Sequence, residues 1–167
     1  VGMNEPRYGK LTRELMAAFA DIVGPANALT EAADTARYLH DWRERTRAET
    51  PLVLRPGNTD EVSRIMKIAD RERIPVVPQG GGTGLAGGHL PTEGLGEIII
   101  SLERMNRLRD VDTAGMSLTA EAGMTLQAVQ DAAENAGQYF GLRIASQGSC
   151  MIGGNLSTNA GGIGVIA

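Results

Sequence analysis

The chain has 167 residues, of which 42% are hydrophobic, enough apolar material to bury a core in one domain or two subdomains and too much for wholesale disorder. Sixteen basic against 20 acidic side chains leave a formal net charge of −4, so no long-range field draws polyanions to the chain. The aromatics (Tyr8, Phe19, Tyr38, Trp42, Tyr139 and Phe140) are too few and scattered to stack single-stranded bases, and nucleic acid is set aside as a partner.

Over 8–23, Leu11, Leu15, Phe19 and Ile22 recur at helical spacing and Gly24-Pro25 stops the run, which predicts an amphipathic helix. Residues 26–50 interleave Arg37, Arg43, Arg45 and Arg47 with Asp41, Glu44 and Glu49, and are expected to form a short helix and a solvated connector. Residues 52–54 predict a strand, and Pro56-Gly57-Asn58 a turn. A helix follows over 60–73, capped by Asn58 or Thr59, with Val62, Ile65, Met66 and Ala69 on one face. The next strand, 74–77, completes a strand, helix, strand unit whose crossover makes the strands parallel. A third strand over 98–102 completes a small βαββ layer. Residues 116–120 alternate as a strand, Gly123 turns the chain, and Thr125 caps a helix with Leu126, Val129 and Ala133 inward, ended by Gly137. No internal repeat is evident.

Beside these elements lie two glycine-rich loops, 78–88 after the second strand and 148–162 after the last helix, which account for half of the chain's 22 glycines. The first, Pro78-Gln79-Gly80-Gly81-Gly82-Thr83-Gly84-Leu85-Ala86-Gly87-Gly88, offers little but main chain and one hydroxyl. Successive N–H groups in such a loop can form a concave nest for phosphate oxygens, and glycine permits the close approach this needs. A flexible hairpin tip is the competing reading. Gly82 to Gly87 also fits the GxGxxG dinucleotide fingerprint, with Glu103 where a ribose-binding acid would stand, so an NAD(P)-binding Rossmann dehydrogenase is an alternative. It is disfavoured because Pro91, Gly94 and Gly96 stand where that fingerprint requires a helix. A P-loop fails because the only lysines, Lys10 and Lys67, do not follow a glycine loop.

A βα pair, then P-Q-G-G-G-T-G-L-A-G-G at 78–88, the strand I-I-I-S-L, A-E-A-G-M-T at 120–125 and G-S-C-M-I-G-G-N-L-S-T-N-A-G-G at 148–162 resembles the PCMH-type FAD-binding domain of the vanillyl-alcohol-oxidase superfamily. The branch it is most similar to is that of the FAD-linked D-2-hydroxyacid dehydrogenases, with glycolate oxidase, D-lactate and D-2-hydroxyglutarate dehydrogenases. The resemblance implies an α+β fold in which a small parallel βαββ subdomain is followed by the start of a second α+β subdomain. It divides the chain into a helical lead-in over 1–50 and an FAD-binding domain over 51–167, with the substrate or cap domain absent. It also implies that Gly80, Gly81, Gly82, Thr83 and Gly84 wrap the FAD pyrophosphate, flanked by Gln79 and Leu85. From the other side Gly148, Ser149, Gly153, Asn155, Thr158 and Gly161 would contact the diphosphate, ribityl chain or flavin ring. Two departures stand out: many relatives have asparagine where Gly82 stands, and a proline within the approach 140–145.

No histidine lies within 79–88, so non-covalent FAD is expected; His89, just beyond, reads as a solvated or backbone-bonded side chain. Cys150, the only cysteine, excludes an intrachain disulfide, points to a reducing cytoplasm, and reads as a small buried residue beneath the loop. His40 and His89 are too far apart for a two-histidine helix motif, so no metal site is expected here. By the resemblance, a divalent metal and the clamp for the substrate carboxylate belong to the cap domain, leaving no catalytic residue in this chain. No run of 18 apolar residues and no signal-peptide pattern is visible. Val1 and Gly2 read as foreign to the natural chain, and 161–167, lacking a polar tail, as a truncation. The expected function is the FAD-binding portion of an oxidoreductase acting on a small D-2-hydroxy acid. A non-catalytic nucleotide-binding subunit is the further alternative, and the electron acceptor and homodimer formation are left open.

Overall fold

The computed structural model describes residues 8–43 and 48–164, so Val1, Gly2, Glu44, Arg45, Arg47 and residues 165–167 lie outside the described residues. The chain divides into two compact units, Val1–Pro78 with Leu85–Ser101, and Gln79–Gly84 with Leu102–Ala167.

In the first unit α1 (Arg13–Val23) begins only after Thr12, whose side chain accepts the Leu15 N–H at 3.3 Å. The start falls later than periodicity predicts because a cap, not an apolar position, decides where a helix can begin. Phe19, Ile22 and Val23 form its buried face. The stretch expected to hold a short helix and a solvated connector does contain the helix, and the remainder is more ordered than its charges suggest. The stretch forms strand β1 (Ala28–Leu29), helix α2 (Ala32–Thr35) and a 3₁₀ turn over Ala36–Leu39, which buries Tyr38 against Val53, Val77 and Ile99. A strand of two residues has no period to read, which is why β1 escapes sequence patterning.

Strand β2 (Val53–Leu54) leads to α3 (Thr59–Glu72). Asn58 caps this helix by accepting the Glu61 N–H at 2.9 Å, while the Glu61 carboxylate accepts the Gly57 N–H at 2.7 Å, a reciprocal arrangement of the capping-box kind. Ile65 and Ala69 are its buried residues; Met66, expected inward, lies at the flank of that narrow stripe and is exposed. Strand β3 (Val76–Gln79) begins two residues later than predicted, because the Ile74 N–H is committed to the Ala69 carbonyl at the end of α3. Strand β4 (Ile98–Ser101) is buried at every position. The sheet order is β1-β2-β4-β3. β1 is antiparallel to β2, with Leu29 opposite Val53, and β2 is parallel to β4. The bonds Ile98 N–H to Pro75 and Leu102 N–H to Gln79 advance together, so β3 and β4 are parallel too.

The second unit contains an antiparallel hairpin of β5 (Leu108–Asp112) and β6 (Ser117–Ala120). β5 was not anticipated, since Leu-Arg-Asp-Val-Asp is mostly exposed and charged, and Met116, expected to open β6, sits in the turn with φ 47°. Helix α4 (Leu126–Asn135) matches expectation: Thr125 accepts the Ala128 N–H at 3.2 Å, and Leu126, Val129 and Ala133 are buried. The 148–162 stretch, expected to be loop throughout, includes a short helix, α5 (Ile152–Ser157). No helix among the described residues is long and apolar enough to cross a membrane.

Candidate functional site

Strand β3 ends at buried Gln79, whose carbonyl accepts the Leu102 N–H at 3.0 Å. Beyond it the chain leaves regular structure, and Gly80 to Thr83 are half-buried. The N–H groups from Gly80 to Gly84 donate to no main-chain acceptor among the described residues. Half-buried main-chain donors normally find a partner in protein, water or ligand, so this run is available to a ligand rich in acceptor oxygens. Gly82 has φ 64°, the handedness change a nest requires. A Cβ on Gly81 would lie 1.9 Å from the Ser149 carbonyl oxygen, a separation no side chain survives. A Cβ on Gly80 would meet Met151 at 3.5 Å. The start of the first glycine loop therefore lies directly on residues 149–151, and the two glycine stretches meet here.

The second stretch is built differently. A tight turn delivers it, the Ser146 carbonyl accepting the N–H groups of Ser149 at 2.8 Å and Cys150 at 2.7 Å. Cys150 is buried, its carbonyl accepting the Leu126 N–H at 3.0 Å, and Met151 bridges to Thr125. At the start of α5, Ile152 donates to Met124 and Gly153 to Ala122, both at 2.9 Å. Asn155 is buried with its amide directed at Cys150 Sγ, 3.5 Å away. The Thr158 hydroxyl donates to the Gly154 carbonyl at 2.8 Å, leaving its oxygen free to accept. Gly148, Ser149 and Gly161 are exposed. Of the residues expected at the site, Gly80, Gly81 and Ser149 are brought together, while Asn155 faces the protein interior. Leu85 is exposed and belongs to the first unit.

No lysine or arginine occurs within 78–88 or 148–162, so what these stretches themselves offer an anion is neutral N–H dipoles. A diphosphate fits that donor set: it needs several converging donors at close range and tolerates no side chain between itself and the chain. Among the described residues no cluster of histidine, cysteine, aspartate and glutamate could hold a metal ion. In the first unit the His89 ring lies 3.5 Å, Nε2 to oxygen, from the His40 carbonyl, in keeping with a backbone-bonded reading.

A buried charge was missed by sequence reasoning. Glu121 is nearly inaccessible, and its Oε1 accepts from Arg107 Nη2 at 2.9 Å and Arg109 Nη2 at 3.1 Å. Its Oε2 accepts the Arg107 main-chain N–H at 3.0 Å. The Arg107 side-chain hydrogen bonds, then that N–H, hold the carboxyl at about 2, against the opposing effect of burial. The signal was present in the sequence, Arg-x-Arg at the start of one strand and Glu beyond its partner, but pairing it required the hairpin register.

The family model for the FAD binding domain matches residues 50–167. The chain is 42% identical over 137 residues to a D-2-hydroxyglutarate dehydrogenase of Xanthomonas citri pv. viticola, covering 82% of this chain and 29% of that protein. It is 35% identical over 161 residues to a mitochondrial D-2-hydroxyglutarate dehydrogenase of Arabidopsis thaliana, covering 96% of this chain and 28% of the relative. The chain thus spans less than a third of the length of these curated relatives. Among solved structures, alkyldihydroxyacetonephosphate synthase superposes with a TM-score of 0.83 at 19% identity, over 95% of this chain and 31% of that one, a likeness of fold. With a glycine cradle suited to a diphosphate and a family match over most of its length, this chain belongs to the FAD binding domain family of the vanillyl-alcohol-oxidase superfamily.

Proposed function

We propose that the chain is the FAD-binding portion, residues 51–167 with a lead-in over 1–50, of a dehydrogenase that oxidises a D-2-hydroxy acid to the 2-oxo acid. The observation that carries this reading is the packing of Gly81 on the Ser149 carbonyl, beside a run of main-chain N–H groups with no main-chain partner. Gly80 to Gly84 would hold the FAD diphosphate. Ser149, Gly153, Thr158 and Gly161 would line its other flank, with Gly148 at the entry and Gln79 and Leu85 at the ends of the first loop. Asn155 would act by holding Cys150 and the turn above it. Attachment is non-covalent in this reading. When bound, FAD supplies the acceptor for the hydride that leaves C2 of the substrate. This chain's contribution is to bind and orient; the groups that clamp the substrate carboxylate and take its hydroxyl proton would lie outside these residues.

The relatives named as D-2-hydroxyglutarate dehydrogenases support a D-2-hydroxy acid as substrate. A reducing compartment suits the single cysteine, and the mitochondrial name of one relative makes the mitochondrion as well as the cytoplasm a location for fractionation to decide. The test uses the full-length protein. Flavin should be released on boiling, and under anaerobic conditions a D-2-hydroxy acid, not its L enantiomer, should bleach the visible flavin absorbance without added NAD. Flavin that no 2-hydroxy acid bleaches would favour a non-catalytic nucleotide-binding subunit. Colourless protein that binds NADH would favour the Rossmann alternative.

A further inference from the structure

We propose that Glu121 is a positioning residue for the second glycine segment: anchored by Arg107 and Arg109, it fixes the main chain from Ala122 to Met124 on which Ile152 and Gly153 hang. The proposal rests on the reading of that segment as part of the FAD site.

The connection runs through main chain with little slack. Glu121 donates its N–H to the Arg107 carbonyl at 2.9 Å, and its carbonyl accepts the Met124 N–H at 3.0 Å. The carbonyls of Ala122 and Met124, on either side of Gly123, accept the N–H groups of Gly153 and Ile152, both at 2.9 Å. Neither junction has room to shift. A Cβ on Gly123 would fall 1.9 Å from the Leu102 carbonyl oxygen, and one on Gly153 would fall 2.7 Å from the Ala122 Cβ. A displacement of residues 121–124 therefore passes directly to the start of α5, and from there to the chain that Gly81 packs against at Ser149.

A charged anchor suits this task better than an apolar one. Burying a carboxylate costs desolvation that its partners only offset, so for stability alone a well-packed apolar side chain would serve as well. What the ionised group adds is direction: both oxygens are engaged, one by two guanidinium groups and the other by a main-chain N–H, which defines where the carboxyl must sit. Arg107 and Arg109 are on, or next to, β5, so the hairpin acts as a fixed frame for the glycine segment.

The test compares variants of the full-length protein after removal of flavin, titrating FAD back and recording both Kd and the visible spectrum of the bound flavin. Glu121→Gln should raise the Kd about tenfold and alter the spectrum of bound flavin. Arg109→Ala, which removes one anchor and leaves Arg107, should shift both in the same direction by less, and carries the test if Glu121→Gln does not fold. Ala133→Gly, at a buried position of α4 and away in sequence from residues 121–124, should lower the melting temperature without changing the Kd. If the Glu121 and Arg109 variants lose stability as the Ala133 variant does, yet bind FAD with the native Kd and spectrum, Glu121 only stabilises and the proposal fails. Retention of FAD by Gly81→Val would instead overturn the FAD site itself.

Discussion

Residues 80–84 and 148–162 are both rich in glycine, yet they meet different fates within the second unit. The first stays irregular, with its N–H groups unmatched by main-chain acceptors. The second folds into a turn and a six-residue helix whose leading N–H groups are taken by Met124 and Ala122. The difference teaches that glycine serves two physical ends here. In the first stretch it leaves main-chain donors without a main-chain acceptor; in the second it lets one segment of chain lie close against another.

The sharpest way to break this comparison is Gly81→Val. Its β-branched side chain would displace the Ser149 carbonyl and with it the meeting of the two stretches. FAD affinity measured by flavin titration should fall on the order of a hundredfold or more. Gly153→Ala comes next. Its methyl would press on Ala122 at 2.7 Å, and the stability of the folded apoprotein in urea should fall by about 1–3 kcal/mol. The Glu121 anchor predicts a pH signature. Its carboxyl is depressed from the usual 4.5 to about 2, so its stabilisation is present above the higher value and lost as pH falls through the lower one. The difference in melting temperature between the wild type and Glu121→Gln should accordingly be flat at neutral pH and shrink on acidification below the usual carboxylate value. Gly148→Ala is expected to do least, because nothing lies within 4 Å of the added methyl: stability should stay within about 0.5 kcal/mol. Any FAD lost by that variant would then report a direct contact and sharpen the assignment of the second flank.

How much was legible follows from what each element depends on. Helices α3 and α4 could be placed because their caps, Asn58 and Thr125, and their apolar rows lie within a few residues of one another. The buried strand β4 declared itself as a short run of isoleucines. By contrast β1, two residues long, and β5, largely exposed, exist only through their partners, and Tyr38 is buried because a sheet lies beneath it. At the site, the glycine spacing already announced a main-chain cradle. That Asn155 turns to Cys150, and that Glu121 joins Arg107 and Arg109, depended on contacts across 5, 14 and 12 positions, the longer two closed by the hairpin.

By itself, then, the amino-acid order determined helices α1, α3 and α4, the buried strand β4 and the family to which two ordered glycine stretches belong, because caps, periodicity and missing side chains act locally. Only the tertiary structure decided that Gly81 rests on Ser149, that α5 hangs from Ala122 and Met124, and that a buried carboxylate anchors that support. Such arrangements depend on which distant carbonyls and charges the folded chain brings within hydrogen-bonding distance, and no local pattern records that.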